Sequence, residues 1–244
     1  MKKALVVGGA NGIGLSIAIE LANKSDVEKV YIVDKAHFSD AYFNEKFDIY
    51  QFDLTQEDYS IFDKFQDIDT LMITAGFGRL ALFKNVEEGM ISLSFNVNTI
   101  PVMRIIKRFY HKLESQQDFY CGVMVSIAGF MSSPFFSIYA ATKAALKVFI
   151  ESVNVELQKA GSTNRILNVS PGSLKGTSFT NGKTDLSVTA PMAQAIITEL
   201  EKKNDLFIPQ YEEVFRTVLH RYHEDFRKEG AHSYDYKLER IKTQ

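Results

Sequence analysis

The chain has 244 residues, 45% of them hydrophobic, which suits a folded α/β protein with a sizeable core and excludes a disordered chain. Its 28 basic and 30 acidic residues leave a formal net charge of −2, so no nucleic-acid partner is expected. The only cysteine, Cys121, excludes an internal disulfide and a thiol metal cluster and points to a reducing, cytoplasmic setting.

"KALVVGG" reads as a buried strand and "GIGLSIAIELANK" as a helix. The first apolar run stops at Val7, shorter than the ~7–15 residues of a signal-peptide core. "KVYIVDK" and "FDIYQFDL" are further strands, and "TQEDYSIFDKF" reads as a helix opened by a Thr55 cap. "DTLMITAG" is a strand, and one long helix is predicted over residues 87–113. "CGVMVSIAG", a helix around Tyr139, and "RILNVSPG" follow. "APMAQAIITELEKK", "DLFIP" and "YEEVFRTVLHRYHEDF" complete the alternation. Strands buried on both faces and separated by helices predict a single doubly wound parallel sheet of about seven strands, a Rossmann-like α/β domain spanning 1–244. The polar segment 175–191 has no clear period and reads as a substrate or cofactor loop. No segment approaches the ~20 apolar residues of a membrane helix, so no membrane partner is expected.

Gly8, Gly12 and Gly14 lie between the first strand and the first helix, with the spacing G-x-x-x-G-x-G. Three glycines there also suit a tight turn, but a loop without Cβ atoms that opens a helix is an anion-binding design. Asp34 ends the second strand, 20 residues after Gly14, near the spacing of a ribose-binding carboxylate. Tyr139 and Lys143 are four apart on one helix face. A free tyrosine has a pKa near 10, and a neighbouring ammonium would lower it toward the working range of an acid–base catalyst. Ser126 ends a strand 13 residues before Tyr139, on the side of the sheet where ligands bind.

Taken in this order, these motifs resemble the short-chain dehydrogenase/reductase family, in its compact single-domain branch, over residues 3–177. "GGANGIG" is similar to its cofactor loop, which carries Asn11 and Ile13 beside the glycines. "FDL" at 52–54 resembles the segment whose Asp, here Asp53 with Leu54, packs beside adenine. "TAG" with Ala75 and Gly76 resembles the end of its N-N-A-G motif, and "SPG" with Pro171 and Gly172 its turn beside nicotinamide. The resemblance implies an NAD(P)(H)-dependent oxidoreductase interconverting an alcohol and a ketone or aldehyde. Tyr139 would be the acid–base, Ser126 would steady the substrate oxygen, and Lys143 would bind the nicotinamide ribose and lower the Tyr139 pKa. Asn98 would anchor a water linked to Lys143. A homodimer or homotetramer is implied through the helix of Ala140, Ala141, Ala144 and Ala145.

The chain departs from the family pattern at Val7, where a threonine is usual, and at Ile73 and Thr74, which replace two asparagines. Gly176 stands where a threonine often contacts the nicotinamide amide, so that contact either moves to Thr177 or is absent. NAD(H) is expected over NADP(H), since Asp34 would repel a 2′-phosphate, although Lys35 offers one positive charge beside it. A non-catalytic dinucleotide sensor on the same fold and an epimerase or dehydratase are the alternatives. His220, His223 and Glu224 read as a polar helix face, and no metal is expected. "FMSSPFF" (130–136) reads either as core or as the substrate-pocket wall.

Overall fold

Strand β1 (Lys3–Val7) alternates its side chains between two cores. Leu5 and Val7 pack on one face of the sheet with Leu71, Phe109 and Val123, and Ala4 and Val6 pack on the other with Ile17, Ile32 and Ile196. A strand buried on both faces must lie mid-sheet with layers above and below. The computed structural model, which describes residues 1–174 and 184–242, has that architecture.

The strands are β1, β2 (Lys29–Asp34), β3 (Phe47–Gln51), β4 (Thr70–Ile73), β5 (Tyr120–Met124), β6 (Ile166–Val169) and β7 (Leu206–Phe207), ordered β3-β2-β1-β4-β5-β6-β7 and all parallel. Helices α1 (Gly12–Ala22) and α5 (Leu186–Glu201) pack together on one face. The other face carries α2 (Glu88–Asn98), α3 (Ile100–Glu114) and α4 (Ser137–Lys159). Helices α6 (Arg216–Glu224) and α7 (Phe226–Lys242) close the chain. The Rossmann-like seven-stranded sheet expected from the alternation is present.

Three local expectations fail, each for a physical reason, and one helix was not anticipated. Residues 55–65 form only a 3-10 turn, Ser60–Phe65, and Thr55 caps no helix. The Asp53 carboxylate accepts from Thr55 N at 2.9 Å and Asp58 accepts from Ser60 N at 2.8 Å, local bonds that compete with a helix. Phe62 and Phe65 still anchor the segment by full burial, about 1.5–3 kcal/mol per ring.

The helix predicted over 87–113 breaks at Thr99 (φ −122°, ψ −62°), because Pro101 has no N–H to donate to the carbonyl of Val97. Residues 186–191 of the predicted loop are the start of α5, capped by the Asp185 side chain, which accepts from Ser187 N. The rest of that loop, 175–183, lies outside the described residues. Helix α7 was not read from the sequence. It is mostly exposed and is held by tertiary contacts: Tyr234 against Phe135, and Lys237 Nζ donating to Ser133 Oγ and the Pro134 carbonyl.

Candidate active site

The carboxyl ends of β1, β2, β4, β5 and β6 converge, the edge at which parallel α/β sheets bind ligands. The β1–α1 turn is built for close approach. Gly8 has φ +89°, and a Cβ on it would lie 2.4 Å from Ala75 N. A Cβ on Gly14 would lie 2.1 Å from the Gly8 carbonyl oxygen and 2.4 Å from Thr74 Oγ1. Asn11 is the extended N-cap of α1, and Gly12, Ile13 and Gly14 supply first-turn amides with no intrahelical acceptor. Of these, Gly12 N donates to Thr184 Oγ1 at 2.8 Å. The cradle fits the diphosphate of a dinucleotide: side-chain-free backbone at a helix N-terminus, with positive dipole and free donors.

Thr74 overturns the concern raised by Val7. Its hydroxyl lies 3.1 Å from the Val7 carbonyl and 2.9 Å from the Gly8 carbonyl, so the position that departs from the family pattern ties the glycine turn to β4. The signal lay in the hydroxyl at 74, but only the fold brings it across to β1.

Asp34 ends β2, as expected, and bridges two amides, accepting from Ala10 N through Oδ2 and from Ala36 N through Oδ1, both at 2.9 Å. Lys35 Nζ is held 3.3 Å from Asp53 Oδ2 on the surface. Asp53 also takes Thr55, and these hydrogen bonds hold its carboxyl below the usual range despite some desolvation. The Leu54 side chain is in the core with Phe52 and Tyr59.

Ser126 lies just beyond β5 and caps a 3-10 turn, Ile127–Gly129, by accepting from Ala128 N at 3.1 Å. With an acceptor site so used, its one proton is available for the Tyr139 phenol, to which it is hydrogen-bonded. The close seat of α4 depends on Gly129, where a Cβ would lie 2.8 Å from the Lys143 carbonyl.

Lys143 Nζ lies 5.6 Å from the Tyr139 ring centre and donates to the Met124 carbonyl at 2.8 Å. Burial pushes the Lys143 ammonium down to about 8. Burial likewise pushes Tyr139 up to about 12, opposed only by the Ser126 hydrogen bond. The lowering expected from Lys143 does not appear: desolvation sets the direction, and Ser126, not Lys143, opposes it.

Asn98 is fully buried at the α2–α3 break. Its Oδ1 accepts from Phe77 N at 2.9 Å, and its Nδ2 donates to the Phe77 carbonyl and to Thr142 Oγ1 at 2.8 and 3.2 Å. Thr142, which the sequence reading passed over inside "YAATK", also donates to the Tyr139 carbonyl at 2.7 Å. Asn98 and Lys143 meet at Gly76, where a Cβ would lie 3.2 Å from Asn98 Oδ1 and 3.4 Å from Lys143 Nζ.

Pro171 accepts from Ile127 N at 3.1 Å, tying the β6 turn to the Ser126 turn. Gly172 lies under the Phe215 ring, 2.6 Å from where its Cβ would stand. Thr177 lies outside the described residues.

Beside Tyr139 is a cavity of about 90 Å³ lined by Arg79, Glu87, Phe135 and Phe136, so part of the 130–136 segment does form a pocket wall. Phe135 is buried with φ +66°, a strained conformation for a bulky residue. His220 pairs with Glu224 at 3.6 Å on an exposed face, and no three His, Cys, Asp or Glu among the described residues could hold a metal. No helix among the described residues is long and apolar enough to cross a membrane.

Comparison with known proteins agrees with this geometry. Residues 2–186 match the family model for short chain dehydrogenase. A curated relative, sorbitol-6-phosphate 2-dehydrogenase of Klebsiella pneumoniae, is 32% identical over 189 residues, covering 71% of this chain and 69% of the relative. A short chain dehydrogenase/reductase from Burkholderia phymatum in complex with NAD superposes with a TM-score of 0.77 at 16% identity, covering 93% of this chain and 94% of that one. A short-chain dehydrogenase from Sphingobium yanoikuyae in complex with NADPH gives 0.73 at 18%, covering 92% and 96%. The chain belongs to the short-chain dehydrogenase family and, with it, to the dinucleotide-dependent oxidoreductases of alcohols and ketones.

Proposed function

We propose that Tyr139 is the acid–base of this oxidoreductase, with Ser126, Lys143 and Asn98 completing the catalytic set. The observation that carries the reading is the half-buried Tyr139 phenol, hydrogen-bonded to Ser126 beside the Lys143 ammonium. A bound dinucleotide would supply the hydride chemistry that interconverts the carbinol and carbonyl carbons. Tyr139 holds the exchanged proton on its phenolic oxygen, and burial keeps it in the acid form that carbonyl reduction consumes. The Ser126 proton, which serves the Tyr139 phenol in the ligand-free protein, would turn to a substrate oxygen when one is bound. Lys143 supplies a charge in a dry setting, where electrostatic effects are strong. Asn98 positions the Phe77 backbone and backs Lys143 at Gly76.

The dinucleotide would be held by Gly8, Asn11, Gly12, Ile13 and Gly14 at the diphosphate, by Asp34, Asp53 and Leu54 at the adenosine end, and by Ala75, Gly76, Tyr139, Lys143, Pro171, Gly172 and Thr177 toward the nicotinamide. NAD(H) is the preferred form in this reading. A 2′-phosphate about 4 Å from Asp34 would cost about 4 kcal/mol at an effective dielectric of 20. Lys35, the nearby cation, is engaged with Asp53. A homodimer or homotetramer through the exposed Val148 and Val155 face of α4 fits the same reading, as does a cytoplasmic setting for a chain whose one cysteine is buried.

The test is a screen of alcohols and ketones followed at the absorbance of reduced nicotinamide, with Tyr139→Phe in parallel. Turnover by the wild type that the variant loses supports the reading. Equal turnover by both overturns the role of Tyr139.

A further inference from the structure

The cavity beside Tyr139 has a mixed lining, apolar at Val86, Met90, Phe135 and Phe136 and polar at other positions. Arg79, Asn85, Glu87, Ser94 and Ser137 share it with Tyr139. About 90 Å³ is smaller than the ~150 Å³ apolar cavity that takes up benzene. A rigid multi-ring apolar substrate does not suit it, whereas a slender chain of hydroxyl-bearing carbons does.

Arg79 and Glu87 are the charged residues of the lining, and both are exposed. Among the described residues no carboxylate pairs with it, although Glu87 lines the same cavity. The strand-to-helix segment that carries Arg79 is pinned on both sides. Asn98 clamps both backbone groups of Phe77, and Ala81 N donates to the Phe135 carbonyl at 2.9 Å. Phe135 is in turn held by Tyr234 at 4.8 Å and by the Lys237 clamp on Ser133 and Pro134. A guanidinium on a fixed backbone, left without a partner in the lining of a cavity, is a site for an anion, and its planar fork matches phosphate or carboxylate.

We infer that the substrate is an anionic polyol or its keto form, with Arg79 receiving the anionic end. Glu87, Asn85 and Ser137 bond its hydroxyls, and the reacting carbon lies at Tyr139. The inference rests on the assignment of Tyr139 above and adds the chemistry of the rest of the substrate. Glu87 serves it as a hydroxyl acceptor and also penalises a substrate whose negative charge falls beside it rather than beside Arg79.

The experiment compares D-sorbitol 6-phosphate, the corresponding sugar acid and uncharged D-sorbitol on the full chain with saturating NAD⁺ or NADP⁺. The wild type is expected to favour at least one anionic compound over sorbitol roughly 10- to 100-fold in kcat/KM, the scale of one charge-assisted hydrogen-bond pair. Arg79→Met should collapse that ratio, mainly through KM, and Arg79→Lys should restore part of it. The two anionic arms identify phosphate or carboxylate as the group received. Calorimetric titration of the preferred anion into Tyr139→Phe with bound dinucleotide, compared with the same protein carrying Arg79→Met as well, reads binding without turnover. A ratio unchanged by Arg79→Met, or turnover of neutral alcohols and ketones with none of the anionic compounds, overturns the inference and leaves the acid–base assignment standing. Turnover undiminished in Tyr139→Phe overturns that assignment instead.

Discussion

The Thr74 hydroxyl lies between two carbonyls of the β1–α1 turn, 3.1 Å from Val7 and 2.9 Å from Gly8. It couples the end of β4 to the turn proposed to cradle the dinucleotide. Thr74→Val keeps the shape and removes the hydrogen bond, at a cost of about 1 kcal/mol. For a chain of this size that is a Tm lower by roughly 2–4 °C. Dinucleotide affinity should weaken as the turn loosens. Thermal unfolding with and without NAD⁺ measures both, and an unchanged Tm with unchanged affinity would show that the hydroxyl does not hold the turn. Gly14→Ala is the harsher companion, because its Cβ would press on both Gly8 and Thr74.

Tyr139→Phe is expected to lower turnover about 10²–10⁴-fold while leaving dinucleotide affinity nearly intact, the scale of general acid–base catalysis. The same variant reads the phenol directly. Ultraviolet titration of the ligand-free protein should lose one tyrosinate step near 12, well above the ordinary value of 10. Loss of a step below 10 would mean that the Lys143 charge, rather than burial, governs this tyrosine.

Lys143 carries a pH signature of its own. Its folded pKa is about 8 against an ordinary 10.5, so the unfolded chain binds more protons between those values. Stability should therefore rise with pH across that window, by up to about 3 kcal/mol for this one group. Lys237 is pushed down to about 8 by burial as well, so the contribution is read as the difference between wild type and Lys143→Met. Denaturant unfolding at steps from pH 7 to 10.5 measures it. A wild-type-minus-variant difference that stays flat would place Lys143 in contact with water. Lys143→Met should also weaken dinucleotide binding and slow turnover.

Asp34 sets the expected cofactor choice. Titration of NADH and NADPH at equal ionic strength should favour NADH, and Asp34→Ala should narrow or reverse the gap. The substitution also removes the acceptor for Ala10 N and Ala36 N, so thermal unfolding is followed alongside. Equal or tighter NADPH binding by the wild type would refute the repulsion argument. In that case Lys35→Ala tests whether the lysine leaves Asp53 for the phosphate.

Much of this protein is legible in its sequence because the relevant signals are local. A run such as "KALVV" must be buried on both faces, and alternation with helical periods then leaves few topologies beyond a parallel wound sheet. Glycines that exclude a Cβ (Gly8, Gly14) or hold a positive φ (Gly8, Gly12) mark the proposed cradle, and the i, i+4 spacing puts Tyr139 and Lys143 on one face. Pro101 was also a local signal, and the break it imposes at Thr99 was readable but missed.

The tertiary structure decided what depends on groups far apart in the chain. Thr74 reaches the turn from 66 residues away, and Thr184 meets Gly12 from 172 away. Lys143 turns its protons to the Met124 carbonyl, and α7 braces the pocket wall across more than a hundred residues. Hydrogen-bond direction and desolvation arise only when segments pack, so no local period encodes them. For that reason the pair at 139 and 143 could be read from spacing, while the opposite shifts of its two pKa values could not.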